Sequence, residues 1–329
     1  MTAPEPSSEK PDDPGRRAGG EPNSAPPDAF MRALDAFQTG MLGNNPEQFE
    51  AAALEAFRVP LWEAEKNPAP ELALGQEAGE CEARADWAGA ETCYRKVLSM
   101  QEATGNFGLI FKAHDDLRRL FMLVGDLAKA EACARAATAA ARQTNLFPVQ
   151  VMALENQAIC ALRRSDYADA LQAASEAVAL LEPDPLHDAM RAGALVTRAR
   201  CRLASGDLEG AEGDLAASKP ILLGREAGPM FAGLHGKAAA WWEAAAELRA
   251  RRCDPAGASE AWTQAVKGRR HVASLEHVSG PYTLAALARA LKHLGEALNA
   301  AGKPEEGRTA LAEAQNIWRE IGLPEQAMR

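Results

Sequence analysis

Four sets of side chains in this sequence have types or spacings suited to chemistry. The six histidines are His114, His187, His235, His271, His277 and His293. Imidazole titrates near neutral pH and ligates metals, so each is a conceivable base or ligand. None has a histidine four residues away, and none stands in an H-E-x-x-H frame; His271 and His277, six apart, fall on different faces of a helix. They read as solvated or hydrogen-bonded residues. Glu243 and Glu247 stand one helical turn apart, the spacing of a carboxylate pair for acid–base work, but solvated helix faces carry such pairs without function. The cysteines form no C-x-x-C. Cys93 and Cys133 are 40 apart and Cys160 and Cys201 are 41 apart, so they read as equivalent packing positions of a repeat. The fourth set is arginine: Arg118, Arg119, Arg163, Arg164, Arg198, Arg200, Arg202, Arg249, Arg251 and Arg252. Cations near helix C-termini complement the helix dipole, and a row of guanidinium groups also takes carboxylates two oxygens at a time.

Other chemistry is missing. The phosphate-cradling G-x-x-x-x-G-K-[ST] and G-x-G-x-x-G patterns do not occur, and Gly233-Leu234-His235-Gly236-Lys237 has the wrong spacing. There is no G-x-S-x-G nucleophile turn. We therefore expect no enzyme, no cofactor and no metal, and name no catalytic residue. Lys and Arg total 36 against 46 Asp and Glu, a formal net charge of -10, which argues against general nucleic-acid binding. No apolar run is long enough for a membrane span. The N-terminus lacks the apolar segment of a secretory signal, and scattered cysteines suit a reducing compartment, so a cytoplasmic location is expected.

The elements that must position these residues are helical. Alanine makes up roughly a fifth of the chain, the composition of closely packed helices. Residues 1–28 contain no Leu, Ile, Val, Phe, Trp or Tyr and are expected to be disordered. Residues 29–69 read as a helical pair or cap, with Phe30, Leu34, Phe37 and Met41 at helical spacing, then Phe49, Ala53 and Phe57. Beyond Pro70, over residues 70–329, a short motif returns six times. Its first copy is Ala85-Asp86-Trp87-Ala88-Gly89-Ala90, and its second is Gly125-Asp126-Leu127-Ala128-Lys129-Ala130. The others centre on Asp166, Asp207, Asp254 and Lys303, at steps of 40 (126−86), 40 (166−126), 41 (207−166), 47 (254−207) and 49 (303−254). A left-handed residue ends one helix and Asp caps the next, so each unit reads as two amphipathic helices. The third unit predicts helices over Pro148–Arg164 and Asp166–Leu181. No stretch alternates with period two, and no strand is expected.

These residues resemble the tetratricopeptide repeats. That family keeps small residues at three packing positions, and here the first is held by Ala78, Arg118, Ala158, Ala199, Ala246 and Gly295. The second is held by Ala90, Ala130, Ala170, Ala211, Ala258 and Gly307; the third by Val97, Ala137, Ala177, Ser218, Ala265 and Ala314. Arg118 departs from the pattern, as do Pro255 and Pro304 at the large apolar position. The resemblance implies an all-α fold, a right-handed solenoid of about six helix-turn-helix units with an N-terminal helical cap and a C-terminal capping helix.

It also implies a function class. In this family the first helix of each unit, the A helix, lines a concave groove that holds a partner protein or peptide. By repeat position the groove-facing side chains are Lys112, Asp115, Arg119, Glu155, Arg163, Arg200, Glu243, Glu247, Arg251, Arg289, Lys292 and Glu296. Arg119, Arg163 and Arg200 fall in line, a strip suited to an acidic peptide. The resemblance does not extend to the clamp for chaperone tails, because Gly75 and Gly79 stand where its first Lys and Asn belong. The leading expectation is a non-catalytic interaction module or adaptor. The alternative is a regulator or sensor whose superhelix encloses a small peptide or ligand and changes conformation. Trp241, Trp242 and Trp318 read as core residues, or as anchors if exposed. Oligomeric state is left open.

Overall fold

The computed structural model describes residues 70–181, 187–224, 232–275 and 280–323. The chain divides into two units, Met1–Lys66 and Asn67–Arg329. The disordered segment and helical pair expected over 1–69 lie outside the described residues. The described residues of the second unit form six consecutive helix pairs: α1 (Pro70–Ala83) and α2 (Trp87–Thr104), α3 (Phe107–Val124) and α4 (Leu127–Arg142), α5 (Phe147–Arg163) and α6 (Tyr167–Ala179), α7 (Asp188–Ser205) and α8 (Leu208–Leu223), α9 (Ala232–Arg251) and α10 (Pro255–Ser274), α11 (Pro281–Ala300) and α12 (Pro304–Glu320). No strand occurs among the described residues.

The repeated motif builds the same turn six times. Its first residue is left-handed in every copy: Ala85 at φ 57°, Gly125 at 81°, Ser165 at 64°, Gly206 at 89°, Cys253 at 58° and Gly302 at 78°. The next residue donates its N–H to the carbonyl five residues back, as Asp86 does to Cys81 at 2.8 Å and Asp207 to Arg202 at 2.9 Å. In the first five copies the Asp side chain then accepts from the third backbone N–H of the following helix, as Asp86 does from Gly89 and Asp254 from Gly257, both at 2.9 Å; Lys303 of the sixth makes no such cap. One residue thus closes a helix and opens the next, which forces consecutive helices antiparallel.

The small positions are where the helices touch. Ala78, Ala90, Ala130, Ala158, Ala170, Ala199, Ala211 and Ala246 are all fully buried. In the last pair both positions are glycine, and a Cβ on Gly295 would stand 2.6 Å from Leu311 Cγ and 2.9 Å from the Gly307 carbonyl, so only glycine fits that approach. Arg118, at 8% exposure, is accommodated differently. Its Nε donates to Asp115 Oδ1 at 2.7 Å, and the same oxygen accepts from Asn156 Nδ2 at 2.8 Å, so the odd residue ties the second unit to the third.

A helices also touch A helices: α3 meets α5, α5 meets α7, and α7 meets α9. They form an inner wall. The wall closes on itself, because α11 of the last unit meets α3 of the second. Leu123 of α3 and Trp87 of α2 enter the apolar cluster formed by Leu291, Leu294, Ile317 and Trp318. Trp87 Nε1 donates to the Gly322 carbonyl at 3.2 Å across 235 residues of sequence. Trp318 is therefore core, 5% exposed, and Trp241 is buried with its Nε1 donating to the Leu215 carbonyl at 2.9 Å.

Candidate functional site

Four units contribute charged residues to one place on the inner wall. Arg163, Arg200, Glu243 and Arg289 precede the turn residues of their units by 7 (170−163), 11 (211−200), 15 (258−243) and 18 (307−289) positions. Each unit thus supplies its residue about one helical turn earlier than the unit before. Their charges act on one another: Arg200 on Arg163, and Arg163, Arg200 and Glu243 on Arg289. Arg269, from the outer helix α10, reaches in and donates its Nε to Glu243 Oε1 at 2.7 Å. The pair retains 19% and 14% of its side-chain surface, so water reaches it.

The electrostatics are unbalanced. Burial acts to raise the Glu243 carboxyl, but Arg269, then Arg200 and Arg289, hold it below the ordinary range. Burial lowers the Arg163 guanidinium, and Arg200 lowers it further. Arg289 is pulled down to about 10 by burial and by Arg163, Arg269 and Arg200, against Glu243. Four cations thus face a single anion. Among the described residues, no carboxylate forms an ion pair with Arg163, Arg200 or Arg289.

The remaining groove-facing residues lie elsewhere. Glu155 accepts from Thr197 Oγ1 at 3.3 Å, and burial pushes its carboxyl up against the pull of Lys237 and that hydroxyl. Lys112 Nζ donates to Asp116 Oδ1 at 2.6 Å. Glu247 pairs with Arg251 at 3.3 Å, and Arg251 also donates to the Leu203 carbonyl at 3.0 Å. Asp115 is committed to Arg118 and Asn156. Lys292 is partly buried and has interactions of its own. Arg119 has contacts of its own: its guanidinium lies 4.2 Å over the Tyr282 ring and 3.7 Å from Asp116 Oδ1.

That ring belongs to the closure. Glu82 of α1 accepts from Tyr94 Oη at 2.9 Å and, closely, from Tyr282 Oη of α11. Burial, followed by the Glu82 charge, raises both phenols well above their ordinary range. Sequence reading missed Glu82, Tyr94, Tyr282 and Arg269. Its one available signal was scarcity, since the chain has only three tyrosines and two of them meet here.

Among the described residues the histidines do not gather with other ligating groups into a metal site. His235 and His271 meet edge to face at 4.5 Å, His293 stacks on Trp262 at 5.0 Å, and His277 lies outside the described residues. Burial raises the Cys201 thiol to about 12 and the Cys133 thiol to about 11, which leaves them unreactive. Among the described residues, no three His, Cys, Asp or Glu side chains are placed to hold a metal ion, and no helix is long and apolar enough to cross a membrane.

No family model matches the sequence. No curated protein matches it either. Solved structures do. The apo form of RapI is 11% identical, with a TM-score of 0.55, over 90% of this chain and 98% of that one. A Rap protein complexed with competence and sporulation factor is 14% identical, with a TM-score of 0.45, over 91% and 95%. A tetratricopeptide repeat protein from Parabacteroides merdae is 14% identical, with a TM-score of 0.41, over 79% and 99%. The fold of this chain is the tetratricopeptide-repeat α-solenoid.

Proposed function

We propose that this tetratricopeptide-repeat chain is a non-catalytic, cytoplasmic binding protein that holds a peptide, or an extended segment of a partner protein, against its inner wall. The observation that carries this reading is the contrast in commitment between side chains. The described inner wall keeps cations without anionic partners, in a place where their desolvation and mutual repulsion destabilise the empty protein. A ligand with negative charge offsets that cost. An adaptor in this sense needs no catalytic group, and the side chains above do not form a nucleophile–base pair.

Closure of the wall favours a second reading, the regulator. The contacts of Glu82 with Tyr282, and of Trp87 with the Gly322 carbonyl, hold the first and last units together. Once those contacts open, each unit rests only on its sequence neighbours, and the superhelix can change pitch. A ligand that binds the open and closed forms unequally then acts as a switch.

The test is capture from the native host by the full chain, compared with an inner-wall variant (Arg119→Gln, Arg163→Gln, Arg200→Gln) and an outer variant (Arg135→Ala, Arg142→Ala) of equal helicity. A partner kept by the outer variant and lost by the inner one is the expected result. Equal capture by both removes the inner wall as the binding surface.

A further inference from the structure

We infer that Arg163, Arg200 and Arg289 form one oxyanion-binding site on the inner wall, built for a ligand that presents several carboxylate or phosphoryl oxygens at once. The inference rests on the reading that the inner wall binds the ligand, and it says which part of the wall does so and by what chemistry. Three observations converge on it. The first is placement: the three residues lie on the A helices of the third, fourth and sixth units, on a diagonal that advances one helical turn per unit. Charges from three units thus act on one region of the wall. The second is charge. Glu243 is paired with Arg269 at 2.7 Å, and among the described residues no carboxylate lies within ion-pair distance of Arg163, Arg200 or Arg289. The third is environment. The cluster is partly buried, and burial first, then the charge of neighbouring guanidinium groups, pulls Arg163 and Arg289 down.

Arginine suits this task better than lysine. Its planar fork donates two parallel hydrogen bonds to a carboxylate or phosphoryl group, and its charge survives burial. The site excludes Arg119, which is occupied by the face of Tyr282. It also differs from the strip of Arg119, Arg163 and Arg200 expected from repeat position, because the superhelix brings Arg289 in from the far end of the array.

Acidic peptides and small polyanions share this chemistry. The experiment uses the full chain and three probes: a tri-glutamate peptide, citrate and inorganic pyrophosphate, each at constant ionic strength set with chloride. Thermal unfolding is followed for the wild type, for Arg163→Gln with Arg289→Gln, and for Arg163→Lys with Arg289→Lys. The expected result is a saturable rise in the wild-type midpoint with at least one probe, and none in the Gln variant. The Lys variant responds with affinity weakened about tenfold, since it keeps charge and loses the fork. Without any probe, the Gln variant unfolds at or above the wild-type temperature, because like charges have been removed. Tighter response to tri-glutamate assigns the site to carboxylates, and tighter response to pyrophosphate assigns it to phosphoryl groups; both support it.

Two results overturn the inference. One is a wild type that responds to none of the probes, or a Gln variant that responds equally. The other is a Gln variant that unfolds at markedly lower temperature in the absence of anions, which makes the arginines structural. Loss of the anion response with partner capture still confined to the inner wall defeats this site and leaves the proposed function standing. A confirmed anion response with capture unaffected by inner-wall changes does the reverse.

Discussion

The inner wall and the outer surface carry the same residue types and treat them in opposite ways. Outside, arginines of one unit meet acids of another. Arg135 pairs with Asp169 at 3.2 Å, Arg142 with Glu176 at 2.7 Å and Arg270 with Glu313 at 2.7 Å. These pairs bridge neighbouring outer helices, and both partners are largely exposed. Inside, Arg163, Arg200 and Arg289 share a confined space with one acid that is already paired. The difference teaches where to look in a solenoid. Charge that is matched across units links neighbours within the array, and the unmatched inner charge is where the proposed ligand would be held.

The largest effect expected from this contrast is at Glu243. Glu243→Gln leaves four arginines facing one another with no anion, and should cost about 3 kcal/mol in urea denaturation. Its sign with pH follows from linkage. The folded Glu243 carboxyl lies below its unfolded value, so its contribution is present above the unfolded carboxylate range and lost as pH falls through the folded one. The gap between wild type and variant should therefore be full at neutral pH and close in acid. A loss below about 1 kcal/mol would mean that water screens the cluster as it does the outer pairs, and the contrast would collapse.

Next comes the place where the wall closes. Tyr282→Phe removes a phenol that donates to the Glu82 carboxylate and keeps the ring under Arg119. A hydrogen bond to a charged group contributes about 1.5–3 kcal/mol, and the lower figure applies because Tyr94 still serves Glu82. Unchanged denaturation by urea would show that the apolar contacts of Trp87 and Leu123 hold the closure without it.

The pairing of helices was legible because its signal is local. Helices expected over Pro148–Arg164 and Asp166–Leu181 occur as Phe147–Arg163 and Tyr167–Ala179, and the motif that separates them is read within six residues. The closure was not legible, since Glu82 and Tyr282 stand 200 residues apart and meet only through the accumulated rotation of the units between. Arg289 was counted among the groove-facing residues, but nothing in its neighbourhood shows that it meets Arg163. Arg269 escaped because it lies on an outer helix, where repeat position gives no reason to look inward.

The turns offer a probe that touches neither surface. Ser165 occupies its left-handed position at φ 64° with a side chain that the conformation disfavours, whereas Gly206 meets the same demand at 89° without strain. A left-handed L-residue costs about 1–2 kcal/mol, and glycine loses part of that gain through the freedom of its unfolded state. Ser165→Gly should therefore stabilise the chain by about 0.5–1 kcal/mol in thermal or urea unfolding and leave the anion response of the inner wall untouched. Destabilisation would mean that the serine is held by contacts the turn geometry does not reveal.

The smallest effect should come from the outer pairs. Arg142 and Glu176 retain 56% and 40% of their side-chain surface, so water and salt screen their attraction, and ordering two long side chains costs most of what remains. Arg142→Ala should change stability by less than about 0.5 kcal/mol, and by less still at high salt. The inner cluster should behave in the opposite direction: added anions strengthen the wild type because they enter it, whereas they can only weaken a screened outer pair. A salt series on wild type, Arg142→Ala and Glu243→Gln separates the two surfaces, with Glu243→Gln gaining most from multivalent anions. If Arg142→Ala cost as much as Glu243→Gln, the matched outer charges would be holding the array together, and an unmatched charge would no longer mark a binding surface.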